Sequence, residues 1–145
     1  MKIHYALMKA HSMLSRRITT RAQRELGLTS GQPKVLDCLM EHEGSDQKTL
    51  AAICEIEQAT LGAILLRMER NGLIQRKQQQ GNRRSLFVYL TEQGRETAQR
   101  MQKIFAEEDR GALKTLSAAE QETLEALLQK VCGNLSGEAE ERGNE

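Results

Sequence analysis

The sequence predicts a mainly α-helical protein that carries one small β-hairpin. Over most of the chain, apolar residues recur every three or four positions, which is the period of an amphipathic helix. Between residues 72 and 94 this period gives way to two short strand patterns on either side of a polar tip that contains glycine. Aromatic residues make up 3% of the chain and tryptophan is absent, so helices must build the core from Leu, Ile, Met and Ala.

Length and composition exclude several classes of protein. A chain of 145 residues has the usual size of one domain, or of a small domain with helical extensions, and leaves no room for a second, enzymatic domain. It has no apolar run long enough for a membrane helix and no apolar core of a signal peptide, which predicts a soluble, cytoplasmic protein. Cys38, Cys54 and Cys132 lack C-x-x-C spacing, so we expect free thiols.

Capping signals divide the first third of the chain into helices. An amphipathic pattern predicts one long helix from Ile3 to Leu26 that stops before Gly27. Thr29 and Gln32 then form a predicted capping box, which opens a second helix that runs to about residue 43.

Two further helices follow in close succession. Ser45 or Asp46 is expected to cap a short third helix, and a fourth begins near Gln58. The buried stripe of this fourth helix is predicted to consist of Leu61, Ile64, Leu65 and Met68.

The hairpin comes next, and two helices complete the chain. Thr91 is expected to cap a fifth helix, whose inward residues are Met101, Ile104 and Phe105. Ser117 and Glu120 form a second predicted capping box. It opens a sixth helix with an apolar stripe of Leu124, Leu127, Leu128, Val131 and Leu135.

A short helix, a turn, a longer helix and a hairpin with an arginine-bearing tip form the layout of a winged helix-turn-helix. In such a fold the hairpin, or wing, contacts DNA phosphates or the minor groove while the preceding helix reads the major groove. Residues 75–85 contain four basic residues and no acid, which favours double-stranded DNA as the partner. The alternative is a winged helix that binds protein. No motif in the sequence indicates an enzyme.

Helical geometry selects the candidate DNA contacts. With the apolar stripe of the fourth helix buried, Gln58 is the best candidate for reading an adenine edge. Lys48 and the first amides of the third helix are candidates for binding phosphate. The other predicted DNA-binding residues are Ala59, Thr60, Gly62, Ala63, Arg67, Arg83 and Arg84.

The first and last helices carry more apolar surface than one small domain can cover, which predicts a homodimer. The expected interface residues are Leu7, Leu14, Ile18, Leu124 and Leu128. The chain then divides into an N-terminal dimerisation helix (1–27), a DNA-binding region (28–90), C-terminal dimerisation helices (91–135) and a disordered acidic tail (136–145). The basic residues from Arg16 to Arg24 are either functional or a solvated face.

Several spaced motifs together resemble the MarR family of bacterial transcription regulators. They are Leu28-Thr29, Val35-Leu36, Leu50-Ala51, Thr60, the run from Arg67 to Ile74, Asn82-Arg83-Arg84, the run from Val88 to Thr91, and Gly94. The resemblance implies a homodimeric repressor of promoters that loosens its grip when a small, frequently phenolic or anionic, molecule binds. It also implies that Thr60 contacts a phosphate or a base. Two recognition helices would face half-sites about 34 Å apart in a near-palindromic operator.

The chain departs from the family pattern on the recognition helix and leaves the effector open. Gly62, Ala63 and Leu66 stand where members usually carry polar or basic residues, so base readout is weak or passes to DNA shape. For an effector pocket the candidates are His11, Ser15 and Met40. We expect no cofactor and no metal. A metal-sensing or redox-sensing regulator is the alternative, although the first helix lacks the cysteine that peroxide-sensing relatives use.

Overall fold

The structure, a computed structural model, describes residues 1–79 and 81–143, and all their side chains except those of residues 82, 83 and 138–143. Its elements are α1 (Ile3–Leu26), α2 (Gln32–His42), α3 (Gln47–Cys54), α4 (Gln58–Arg70), β1 (Ile74–Gln79), β2 (Asn82–Leu90), α5 (Glu92–Leu113) and α6 (Ala118–Gly143). The strands form one antiparallel pair in which Ile74 faces Leu90. The predicted mainly α fold with a small wing is confirmed. Met1–Glu108 and Asp109–Glu145 form two compact units.

The helix ends follow local signals, with one correction. α1 stops where predicted because Gly27 adopts a left-handed φ of 68°. The capping box at Thr29 forms only in part: the Thr29 amide donates to Gln32 Oε1 at 3.1 Å, but the N-cap residue is Gly31, with φ 85°. Because α2 begins at Gln32 itself, the Thr29 hydroxyl lies outside the capping position.

The core of the first unit joins α2, α3 and α4. Its largest fully buried side chains include Leu36, Leu39, Leu50, Leu61, Leu65 and Met68. Three residues of the predicted α4 stripe are therefore fully buried, and the fourth, Ile64, is half-buried against this core. α3 and α4 are bent by 106° at the turn between them, within the range of about 90–120° that is usual for a helix-turn-helix.

The wing joins α5 through a tight contact between two backbone segments. The Thr91 hydroxyl donates to the Gly72 carbonyl at 2.6 Å and accepts the Gly94 amide at 2.9 Å, which confirms Thr91 as the cap of α5. Gly94 is buried against Leu73, so closely that a Cβ at this position would overlap the Leu73 carbonyl oxygen. This contact fixes the start of α5 beside the end of the recognition helix.

An ion-pair network joins α1 to α5 within the first unit. Arg17 Nε lies 2.8 Å from Glu108, and Arg21 contacts Glu25, Glu107 and Glu108 at 2.7, 2.8 and 3.4 Å. The Arg17 guanidinium, opposed in part by burial, holds the pKa of the Glu108 carboxyl below its ordinary value. Part of the basic face of α1 is thus paired with acids rather than only solvated.

In the second unit, α6 opens with the predicted capping box. The Ser117 amide donates to Glu120 Oε1 at 3.0 Å and the Glu120 amide donates to Ser117 Oγ at 3.1 Å. The backbone is helical as far as Gly143. The composition predicts instead a disordered tail that begins at residue 136. Residues 138–142 are glutamate, alanine and arginine, all of which have high helix propensity. Residues 144 and 145 lie outside the described part of the chain.

Among the described helices, none alone is long and apolar enough to cross a membrane. α3 and α4 meet that test when joined, but they are bent at their shared turn.

The close approach of Gly94 to Leu73 gives a stability prediction. Gly94→Ala forces the two backbone segments apart, and we expect it to lower the free energy of unfolding by about 1–3 kcal/mol or more, as overpacking does. Gly111→Ala is the matched control, because Gly111 lies in the same helix and a methyl group added there would have nothing within 4 Å. It should instead raise stability by about 0.5–1 kcal/mol. Urea unfolding measures both; equal effects of the two variants would contradict the contact.

Candidate nucleic-acid interface

The outward face of α4 lies opposite its buried stripe. Gln58, the first residue of the helix, is exposed, as are Ala59, Thr60, Ala63 and Arg67. Gly62 is half-buried, with open space where a Cβ would lie. Leu66 is 39% exposed, so an apolar side chain shares this face. The surface offers few hydrogen-bonding groups besides those of Gln58, Thr60 and Arg67.

The N-terminus of α3 is capped by its own sequence. Asp46 Oδ1 accepts the Thr49 amide at 2.7 Å, and this bond is the main reason that the pKa of Asp46 is lowered. The Thr49 amide is therefore already occupied, so the predicted contact between phosphate and the first amides of this helix cannot use it; the contact itself stays a prediction. Lys48 is exposed beside the cap.

A groove brings the third helix and the wing together. Its volume is about 230 Å³, and it is lined by Asp46, Gln47, Lys48, Arg84, Ser85 and Leu86. The structure thus places Lys48 and Arg84, predicted from distant parts of the chain, at one site. The side chain of Arg83 and the whole of Gln80 lie outside the described residues, so the role of Arg83 stays a prediction.

The wing is less positive than its sequence indicated. Arg76 Nε lies 3.3 Å from the Glu69 carboxylate, so one of its four basic residues is paired with an acid of α4. Arg76 also donates to Gln47 Oε1 at 3.0 Å. Lys77 lies over the Tyr89 ring, 5.3 Å from its centre. The sequence does not indicate the pairing of Arg76 because Glu69 lies outside the acid-free segment. Glu69 is only seven residues before Arg76, and the turn at Gly72 between them brings the two side chains together.

Comparison with known proteins agrees with this geometry. The profile of the MarR family matches residues 28–86, from the start of the DNA-binding region into β2. The transcriptional regulator HosA of Escherichia coli is 34% identical over 114 residues, which are 78% of this chain and 84% of HosA. This chain belongs to the MarR family. It is a DNA-binding transcription regulator and not an enzyme.

Solved structures of MarR family proteins share the fold. One from Listeria monocytogenes, complexed with a 26mer DNA, has a TM-score of 0.88 and 26% identity over 95% of this chain and 91% of its own. The reduced form of MarR from E. coli has a TM-score of 0.79 over 90% of this chain and 96% of its own, and at 22% identity this likeness shows the fold alone.

The first unit also contains a cavity beside the α1 residues predicted to bind an effector. This cavity, of about 270 Å³, lies between α1, α2 and α5 of the first unit. Its lining includes His11, Leu14, Ser15, Ile18, Lys34 and Phe105. Two of the three predicted pocket residues, His11 and Ser15, meet there. The third, Met40, packs instead against the core and is not part of the lining.

The predicted dimer residues divide into two groups. Leu7, Leu124 and Leu128 are exposed by 39%, 38% and 40%. Leu14 and Ile18 are half-buried and line the cavity of their own chain. The first group thus consists of apolar side chains in contact with solvent, whereas the second already has neighbours.

Of the three cysteines, Cys54 is buried and its thiol is unreactive. Burial, and then hydrogen bonding with Cys38, raise the pKa of the Cys54 thiol to about 12, so it stays protonated at neutral pH. Cys132 is exposed on α6. Among the described residues, no three or more His, Cys, Asp or Glu side chains cluster so as to hold a metal ion.

Proposed function

We propose that this MarR family protein is a homodimeric repressor that binds a near-palindromic operator in the bacterial cytoplasm and is released by a small anionic effector. The observation that carries the proposal is the exposed face of α4 beside the groove that holds Lys48 and Arg84. A major groove admits one α-helix, and flanking cations fit the phosphates on either side of it.

Within this proposal Gln58 reads sequence. It begins α4 and is exposed, and its side-chain amide both donates and accepts, as adenine requires. Ala59 and Ala63 present methyl groups that suit thymine. Thr60 and Arg67 stand on the same exposed face and would contact the backbone or a base edge.

Gln58→Ala tests the base-reading role. We expect it to weaken binding to the best operator by about 1–3 kcal/mol, because one bidentate contact is lost, and to leave random duplex almost unaffected. Gln102→Ala, an exposed glutamine on α5, is the matched control and should change neither. Operators selected from a random pool by wild type and variant decide the matter. If wild type and variant select the same operator sequences, Gln58 does not contribute to sequence recognition.

The dimer follows from unpartnered apolar surface. On α6, Leu124, Leu127, Leu128 and Leu135 are exposed by 38–62%. On α1, Ile3, Leu7, Met8 and Met13 are exposed by 39–70%. A row of exposed large apolar side chains along one helix is typical of subunit interfaces.

Replacing both Leu124 and Leu128 with Asp tests the dimer. Charged groups in an apolar interface oppose its burial, so we expect a monomer in analytical ultracentrifugation and a loss of operator affinity. Gln129→Asp adds the same type of charge at an exposed position of the same helix and should stay dimeric. A double variant that sediments as a dimer would remove α6 from the interface.

Effector release uses the cavity beside α1. Lys34 supplies a cation and Asp37 an acid, so the lining has room for one carboxylate beside Lys34 and not for a second. His11 and Ser15 supply polar atoms, and Leu14 and Phe105 supply an apolar wall, which together suit a phenol with a single carboxylate. Gly31 also lines the cavity and faces α4: a Cβ on Gly31 would lie 2.5 Å from Ile64 Cδ1. A ligand that moves this loop would therefore press on the recognition helix.

A hydroxybenzoate is the probe for this release. Titrated into the protein–operator complex, it should free the DNA, as followed by fluorescence anisotropy. Lys34→Gln should need about ten times more ligand, because a charge-assisted contact is lost, while its DNA affinity without ligand stays that of wild type. Lys103→Gln, outside the cavity, is the control. Equal release from both variants would place the ligand elsewhere, and no release from wild type would exclude this ligand class.

A further inference from the structure

Arg76 occupies an unusual place for a basic residue of a DNA-binding wing. It lies in β1, and its side chain is only 16% exposed. Its guanidinium donates to both oxygens of Glu69, each at 3.3 Å, and to Gln47 Oε1 at 3.0 Å. The Arg76 amide also donates to Glu69 at 3.2 Å. This charge is directed into the protein, not towards the wing tip.

The partners of Arg76 belong to the two helices of the helix-turn-helix. Glu69 lies in the last turn of α4, and Gln47 is the first residue of α3. One side chain therefore connects the base of the wing to both helices. Hydrogen bonding from Arg76 lowers the pKa of the Glu69 carboxyl, which favours its ionised form.

A contact at the base of a hairpin controls the position of its tip. Arg76 is the third residue of β1, which ends at Gln79, and a strand rises about 3.3 Å per residue, so the turn at Gly81 lies at most about 16 Å from Arg76. A tilt of about 10° at Arg76 would then move the tip by about 3 Å, more than the range over which a hydrogen bond to phosphate survives.

We propose that Arg76 is a positioning residue for DNA binding: through Glu69 and Gln47 it sets the angle between the wing and the helix-turn-helix, and it does not itself contact DNA. The proposal extends the established DNA-binding activity and needs neither the dimer nor the effector. Arginine suits this role because its planar fork bonds a carboxylate and an amide at once, whereas lysine offers a single charged point.

The sign of the effect of Glu69→Gln separates positioning from direct contact. Removing an acid near DNA strengthens binding if electrostatics alone matters, and it would also free Arg76 for phosphate. If Arg76 positions the wing, the same substitution weakens binding, by about tenfold for the loss of a charge-assisted pair. Glu55→Gln is the matched control: it removes an equal charge on the turn between α3 and α4, and Glu55 makes no ion pair among the described contacts. It should bind as wild type or slightly tighter.

A double-mutant cycle tests whether the effect passes through the wing. In a protein whose Arg83 and Arg84 are both replaced by Ala, Glu69→Gln should cost less than about twofold, since a wing without the two arginines near its tip gains little from correct placement. Arg76→Lys keeps the charge and should weaken binding of the intact wing to a similar extent as Glu69→Gln.

Binding is measured where circular dichroism shows each variant to be folded. If one single variant fails to fold, the exchanged pair, Glu69→Arg with Arg76→Glu, takes its place and should recover part of the affinity that the folded single variant loses. Tighter binding of Glu69→Gln, full affinity of Arg76→Lys, an equal loss with and without the wing cations, or an exchanged pair weaker than either single variant would each overturn the proposal.

Discussion

The burial of one stripe of α4 is the constraint on which the rest of the DNA-binding region depends. Leu61, Leu65 and Met68 are fully buried, and each contributes about 1.5–3 kcal/mol through the area it removes from water. Successive side chains of a helix are about 100° apart, so this stripe fixes the rotation of the helix about its axis. Ala63 is outward for that reason, whereas Gln58 is exposed because it is the first residue of the helix. In a core with so few aromatic residues, no single large side chain could replace these three.

The wing depends on its attachments more than on its own pairing, because a two-stranded hairpin is marginally stable alone. Val88 exchanges hydrogen bonds with the segment before α3: its amide donates to Ser45 at 2.9 Å, and its carbonyl accepts from Gly44 at 2.8 Å. At the far end of β2, Glu43 accepts the Leu90 amide at 3.0 Å and pairs with Arg95 at 2.6 Å. These contacts bring the end of α2, the wing and the start of α5 into one rigid corner.

The sequence predicts helix ends and caps well, because these features depend on residues that are close together in the chain. The end of α1 at Gly27, the Asp46 cap and the capping box at Ser117 all depend on residues within a few positions of one another, and the structure contains them. Contacts across long separations were beyond sequence reasoning. Arg17 and Glu108 lie 91 residues apart, and neither periodicity nor composition indicates that they meet.

The candidate site shows the same division. Helical period was enough to identify the exposed face of α4 from its apolar stripe. Charge counting along the chain misjudged the wing, because Arg76 is neutralised by an acid of another element. Met40 is predicted to line the effector cavity, but its side chain packs against the hydrophobic core instead. The absence of acids near a basic residue in the sequence therefore does not show that the basic residue is available to bind DNA.

These features connect the recognition face to the rigid wing. Because the side chains of Ala59, Ala63 and Leu66 cannot donate hydrogen bonds, an α4 seated in the major groove as proposed would obtain little base discrimination beyond that of Gln58, Thr60 and Arg67. The minor groove offers a second source, since its width varies with sequence and narrow stretches attract arginine. A wing can use this variation only if it meets the groove at a reproducible angle. A chain with a poor recognition face thus has particular need of a wing held firmly at its base, which is where Arg76, Glu69 and Gln47 meet.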